Sequence, residues 1–350
     1  MPTPTGLPPL LVDSQEQIEQ ALRAHMDGLA NGGLELYRMM RYGLGWIEQD
    51  GTPALQELPA RLHGALCLEA WSALSPAASR EDGDLATVAA AACELLVASI
   101  EVHEQMQIAE QGPRDHPAMW WVWGPAQAIN VGDGLHALAR LAALDLAARG
   151  LPAERTLTAI SELDDTALRY YEGQYLELRL QERLDVTEAE YLSVARQKRG
   201  ALLGGSMALG ALIADAPTPA TQALRSFGQT LGAAAQMQDD IALIWGHPEA
   251  ELTPMARVLN KSKLYPVVHA LEHGTIKQRR SLGRLYYKRV LELSDIDEIR
   301  RILEEIGGRD AAQAAASAIA EQAVAELREV GMDAHRVGRW QAIADAMMGR

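Results

Sequence analysis

The chain has 350 residues, 48% of them hydrophobic and 23% charged, the composition of a globular protein long enough to bury a substantial core. Its formal net charge of -15 excludes a general nucleic-acid binder, which needs a basic face to neutralise phosphates. Two cysteines, Cys67 and Cys93, are too few for a disulfide framework and suit small buried residues in a reducing cytoplasm.

Residues 1–14 carry no basic start followed by a long apolar run, so they read as a flexible tail rather than a signal peptide. From Gln15 onward apolar residues recur at three- and four-residue intervals, and no stretch alternates at period two. The expected architecture is therefore all-α: one domain over 1–350, a large helical bundle around a central cavity. Helices are expected over 15–30, 34–48, 58–75, 85–111, 124–149, 153–182 and 187–214. Further helices follow over 218–245, 262–273, 276–290, 294–305, 308–330 and 333–348. Asn31-Gly32-Gly33, Asp50-Gly51-Thr52-Pro53, Gly112-Pro113 and Pro217-Thr218-Pro219 punctuate them. Thr187 and Glu190 have the spacing of a capping box. The most apolar window, Leu85 to Val102, carries Glu94 and Glu101 and reads as a core helix rather than a membrane span.

Two of these helices carry candidate chemistry. One holds Glu101, Glu104 and Gln105; the other reads QMQDDIALIWG, with Asp239 and Asp240 adjacent at the end of an apolar run. Consecutive aspartates in such a helix are costly unless something cationic meets them. Magnesium favours carboxylate oxygens and bridges them to substrate phosphates, and facing helices of a bundle can supply the carboxylates. The bland alternative is a solvated helix end with ordinary surface acids. His103-Glu104 opens like the zinc motif HExxH, but position 107 is Gln, which excludes it.

In order and spacing, from about Leu34 to Glu272, the chain resembles the trans-type prenyl diphosphate synthases. The resemblance rests on ELYRMMRYGLGW, the helix from Pro59 to Trp71, AINVGD, EGQYL, KRGALLGG, QMQDD and KSKLYPVVHALE. It implies an all-α fold, commonly dimeric, in which two aspartate-rich motifs hold magnesium ions against an allylic diphosphate. Ionisation would give an allylic cation, attacked by isopentenyl diphosphate or, in the related class I terpene cyclases, by its own double bonds.

The resemblance assigns roles residue by residue. Asp239, Asp240 and Glu104 become the catalytic and metal-binding acids. Helix spacing, not the resemblance, adds Glu101, one turn before Glu104 and on the same face, as a further metal ligand; its bland alternative is a Glu that points to solvent or pairs with a neighbouring helix. Lys198, Arg114, Arg61, Lys263, Gln236 and Gln174 become diphosphate-binding residues; the cost of burying the aspartate pair, not the resemblance, makes Lys198 its expected counter-ion in the empty protein. Ser99, Ile100, His103, Gln105 and Ile108 fall along the cavity.

Departures accompany these matches. The three aspartates of the first motif, DDxxD, fall on Glu104, Gln105 and Ile108. The basic segment GKRxRP falls on Pro59 to Gly64, where Ala60 and His63 replace cations and Arg61 remains. One arginine is missing beside Arg114, Arg199 stands where the family has Thr, and Leu243 ends the second motif.

Three readings are compatible with this pattern. The first is an atypical class I enzyme that ionises geranyl, farnesyl or geranylgeranyl diphosphate with magnesium, by terpene-synthase-like cyclisation or atypical prenyl transfer. The second is a non-catalytic subunit paired with an active synthase. The third is a conventional synthase with weakened metal sites. In each the protein is cytoplasmic and a homodimer or heterodimer, with no nucleic-acid partner.

Overall fold

A computed structural model describes residues 7–27, 33–54, 57–75, 80–113, 115–246 and 255–350. Sixteen α-helices follow one another among these residues, with no named strand. They are α1 (Gln15–Asp27), α2 (Glu35–Gly43), α3 (Leu62–Leu74), α4 (Arg80–Gln107), α5 (Met119–Trp123), α6 (Pro125–Ala148), α7 (Ala153–Gln181) and α8 (Glu188–Ala195). After a single π turn over Arg196–Gly200 come α9 (Ala201–Ile213), α10 (Thr218–Trp245), α11 (Met255–Leu259) and α12 (Tyr265–His273). The last four are α13 (Ile276–Tyr286), α14 (Leu293–Glu305), α15 (Gly308–Glu329) and α16 (Ala334–Met347).

The core follows from the apolar runs. In α3, Leu62 and Gly64 through Ala70 are all buried, the mark of a helix enclosed on every side. The small residues Ala89 to Ala92 are fully enclosed in α4, which packs against α1, α3, α6 and α9. This helix is long and apolar enough to cross a membrane, yet 89% of its apolar window is buried inside the protein. A second, smaller apolar cluster joins the end of α10 to α11 through α14.

Four local features depart from the sequence expectation, each with a physical cause. Pro9–Ser14, expected within a flexible tail, forms a 3₁₀ turn and buries Leu11 against the core. The helix expected over 34–48 stops at Gly43, because Gly45 adopts φ +75° and the chain turns into an antiparallel bridge between Ile47 and Pro53. Met119–Trp123, between two expected helices, forms the short α5; Gly124 at φ +84° separates it from α6, which Pro125 starts where its missing N–H costs nothing. The continuous helix expected over 187–214 is interrupted by the π turn, an insertion often found at functional sites.

Candidate active site

The π turn places two consecutive cations, Lys198 and Arg199, inside the protein, at 3% and 7% exposure. Glycines let the neighbouring helices close on it. A Cβ on Gly173 of α7 would lie 2.8 Å from Lys198 Cγ, and one on Gly232 of α10 would lie 2.5 Å from Gly200 Cα. Around the turn stand the ends of α4 and α7, the aspartate pair of α10, α11 and the segment leading into α12.

These elements build a continuous network of charge. The Lys198 ammonium donates to Glu104 Oε1 at 2.7 Å and also bonds Glu177, while the Tyr170 hydroxyl donates to Glu104 Oε2 at 2.6 Å. Arg257 bonds Glu177 Oε1 at 2.6 Å and stands 3.9 Å from Asp240 Oδ1. Asp240, at 1% exposure, accepts from the Tyr191 hydroxyl at 2.6 Å, the Tyr265 N–H at 2.9 Å and Gln236 at 3.0 Å. Arg199 forms the ion pair with Asp239.

The electrostatics follow from who faces whom. Burial opposes ionisation of Glu104, but Lys198 and Arg257 outweigh it and hold the carboxyl down at about 2. Lys198 is likewise raised, because Glu104 and Glu177 overcome its desolvation. Asp240 goes the other way: burial raises its carboxyl despite Arg257 and its hydrogen bonds. Burial lowers Arg199 to about 10 and Lys263 to about 8.

A cavity of about 120 Å³ opens beside this network, walled by α3, α4 and α9 through Arg61, His63, Glu94, Ala98, Ile100 and Glu104 among others. Its basic wall is spent. Arg61 donates to Glu19 Oε1 at 2.6 Å and to the Leu44 carbonyl at 2.7 Å. Burial, aided by Arg199, pushes the His63 imidazole down to about 3, so it is neutral. Glu94 accepts the Gly64 N–H at 2.6 Å, and burial raises it to about 7 against the pull of Arg61. A neighbouring cleft reaches outward past Glu57, Glu101, Glu104, Gln105 and Glu110, an acidic mouth.

The positions expected from the sequence separate into two groups. Glu104, Lys198, Gln236, Asp239 and Asp240 meet in one network, and Ile100 and Glu101 line the cavity beside it. Lys198 is not the counter-ion of the aspartate pair; it is committed to α4 and α7, and Arg199 and Arg257 serve the aspartates instead. Gln174 donates to Gln107 Oε1 at 2.8 Å, and its own carbonyl is buried without a hydrogen bond. Lys263 donates to the Gln181 carbonyl at 2.8 Å and lies over the Tyr286 ring, although it shares a small recess with Glu177, Lys198 and Arg257.

Among the expected cavity residues, Ser99 is fully buried outside the cavity wall. His103 turns to α6, its Nε2 3.3 Å from the Ile129 carbonyl and packed on Gly132. Ile108 is buried outside the same wall, and Gln105 lines the outer cleft. Arg114 lies outside the described residues.

Sequence reasoning missed Tyr170, Glu177, Tyr191 and Arg257. Glu177 was within reach, since it follows Gln174 by one turn of the same helix and so shares its face. Arg257 sits in the five-residue helix α11, too short for periodicity to reveal.

The magnesium cluster implied by the sequence can be tested against these contacts. Glu104, Glu177, Asp239 and Asp240 are four carboxylates, and Lys198, Arg199 and Arg257 are three buried cations already bonded or facing them. A single unbalanced negative charge remains. Ile108 adds no ligand, and both oxygens of Asp240 are taken by donors. A cluster of several divalent ions on these four acids would therefore have to displace Lys198, Arg199 or Arg257 from them. Glu101, by contrast, beside Glu104 in both the cavity and the outer cleft, has no side-chain cation paired with it among the described residues.

Comparison with known proteins agrees with the fold. The polyprenyl synthetase family matches residues 53–306. A (2E,6E)-farnesyl diphosphate synthase of Mycobacterium bovis is 29% identical over 346 residues, covering 98% of this chain and 93% of that protein. A geranylgeranyl diphosphate synthase of Mycobacterium tuberculosis is 32% identical over 294 residues, 83% of this chain and 81% of the other. The crystal structure of a polyprenyl synthetase from Streptomyces coelicolor superposes with a TM-score of 0.83 at 27% identity, covering 97% of this chain and 98% of that one. With the family matched over most of its length and a similar fold along nearly all of it, the chain belongs to the polyprenyl synthetase family, all-α prenyltransferase enzymes of the isoprenoid synthase superfamily.

Proposed function

We propose that this chain is a prenyltransferase that takes an allylic prenyl diphosphate, with the diphosphate at Lys198, Arg199 and Arg257 and the apolar tail along α3 and α4. The observation that carries the reading is the burial of three cations beside a largely apolar cavity: Arg199 lines the cavity itself, while Lys198 and Arg257 line a small separate recess. Geranyl, farnesyl and geranylgeranyl diphosphate are the substrates to test, and the names of the relatives favour transfer to an acceptor over cyclisation. The acidic mouth at Glu57, Glu101 and Glu110 disfavours a bare diphosphate, so the substrate enters as its magnesium complex. Glu104, Asp239 and Asp240 hold the three cations in place.

The assay is pyrophosphate release by the purified chain from each of the three substrates, with and without isopentenyl diphosphate. Release is expected to saturate once magnesium matches the substrate, without a further cooperative requirement. Asp239→Asn, which leaves Arg199 without its partner, is expected to slow release about a hundredfold. Absence of release from all three substrates would sink the reading.

One observation favours a second reading, a non-catalytic subunit of a heteromeric synthase: Arg61 is fully committed to Glu19 and a backbone carbonyl. Under either reading the chain is cytoplasmic, in keeping with free, buried Cys67 and Cys93. Both also make it a dimer, through the face of α6 and α7 that exposes Leu141, Leu144, Leu168 and Tyr175. Co-purification with an active synthase, alongside a negative release assay, selects the subunit.

A further inference from the structure

A second cluster of ligand atoms lies where α8 begins and α12 ends. His269 and His273 are four residues apart on α12 and therefore share a face. Glu188, the first residue of α8, places Oε1 2.7 Å from His269 Nδ1 and 3.3 Å from His273 Nε2. One ligand atom from each residue falls within 4.8 Å of the other two.

We infer that Glu188, His269 and His273 form a transition-metal site that takes zinc. Ligands about 2.0–2.1 Å from a tetrahedral ion lie about 3.3 Å from one another; the Glu188–His273 distance already matches, and the Glu188–His269 distance needs only a small opening. Two imidazoles and one carboxylate suit zinc and its neighbours and discriminate against magnesium and calcium, which prefer oxygen. Three protein ligands leave the fourth position to water.

The surroundings orient these ligands. The Tyr265 ring stacks on His269 at 6.4 Å and 28°. Glu272 accepts the Glu188 N–H at 2.7 Å, bringing a second carboxylate beside the site. His273 is half exposed, so an ion can reach it from solvent.

An ion here clips α8 to α12. The first helix runs on into the π turn that carries Lys198 and Arg199; the second begins with the N–H that holds Asp240. Zinc would therefore tie together the two sides of the charged network from outside it. The inference does not depend on the chain's substrate.

The test uses the untagged full chain, stripped with chelator and dialysed, titrated with zinc by calorimetry and with cobalt(II) by visible absorption. One equivalent of zinc is expected, with a rise in melting temperature and an intense tetrahedral cobalt spectrum. His273→Ala, at an exposed position, is expected to keep the fold and lower the affinity more than about tenfold; Glu188→Gln should act in the same direction. The proposal is overturned by absence of stoichiometric binding, by equal affinity in wild type and His273→Ala, or by a cobalt spectrum that both variants leave unchanged. A site displaceable by magnesium at similar concentration overturns it equally.

Discussion

The molecule has two buried basic clusters, around Arg61 and around Lys198, and they use their cations differently. At Arg61 the guanidinium meets Glu19 and the Leu44 carbonyl, while Glu19 also accepts the Trp46 indole N–H at 2.8 Å. That closed loop ties α1, the segment after α2 and the start of α3. At Lys198 one acid is shared: Glu177 serves both Lys198 and Arg257, and Arg257 also faces Asp240. A cation whose acid has a second cation beside it can turn to an incoming anion without leaving a bare buried charge. A cation in a closed loop cannot.

This contrast gives the largest predicted effect. Arg61→Met and Lys198→Met each strand buried carboxylates and should each cost about 3–5 kcal/mol, read by urea unfolding. Their effects on ligand should part company. Calorimetry with a non-hydrolysable farnesyl diphosphate analogue should show Lys198→Met weakened about a hundredfold and Arg61→Met, where it folds, changed by less than about threefold. Equal losses would erase the distinction between the clusters.

The two clusters also predict opposite pH slopes. Glu94, beside Arg61, is raised from 4.5 to about 7, so the folded state holds its proton longer than the unfolded chain. Stability should fall by about 3 kcal/mol as pH rises through that window. Glu104, beside Lys198, is lowered from 4.5 to about 2, so its contribution is complete above 4.5. That contribution, again about 3 kcal/mol, is lost as pH falls towards 2. Unfolding curves of Glu94→Gln and Glu104→Gln across pH 2–8 check both signs, since each variant should lose only its own slope.

Arg199 sharpens the comparison inside the Lys198 cluster. Its replacement by Thr frees Asp239 and leaves the site with more uncompensated acid. Arg199→Thr should therefore make binding of the farnesyl diphosphate analogue about tenfold more dependent on free magnesium than in the wild type. Unchanged metal dependence would show that Arg199 is not what neutralises the site.

Much of the fold was legible because helices announce themselves by periodicity. Most boundaries fall within a few residues of expectation; the clearest exception lies at Gly45, where a positive φ follows the end of a helix that hydrophobic spacing alone would continue. The site was legible at the level of which helices meet. It was not legible at the level of pairing. The presence of Lys198, Arg199 and Asp239 in the sequence did not reveal that a π turn aims two consecutive cations inward, because side-chain direction there depends on one inserted residue. Nor could spacing show that Arg61, retained at a basic position, is consumed by Glu19, which lies 42 residues earlier.

What holds the π turn in place is the remaining question the comparison raises, and it yields the smallest effect. The turn continues α8, whose capping box joins the Thr187 hydroxyl to the Glu190 N–H at 3.2 Å and the Glu190 carboxylate to the Thr187 N–H at 2.9 Å. If α8 set the turn, loosening its cap would displace Lys198. The contacts argue otherwise: Lys198 is gripped by Glu104 and Glu177, and its stem lies against the space left by Gly173. Thr187→Ala should thus cost about 1 kcal/mol in urea unfolding while changing affinity for the diphosphate analogue by less than about twofold. A larger loss of affinity would move control of the turn from its buried ion pairs to the helix before it, and with it the distinction between a locked cluster and an exchangeable one.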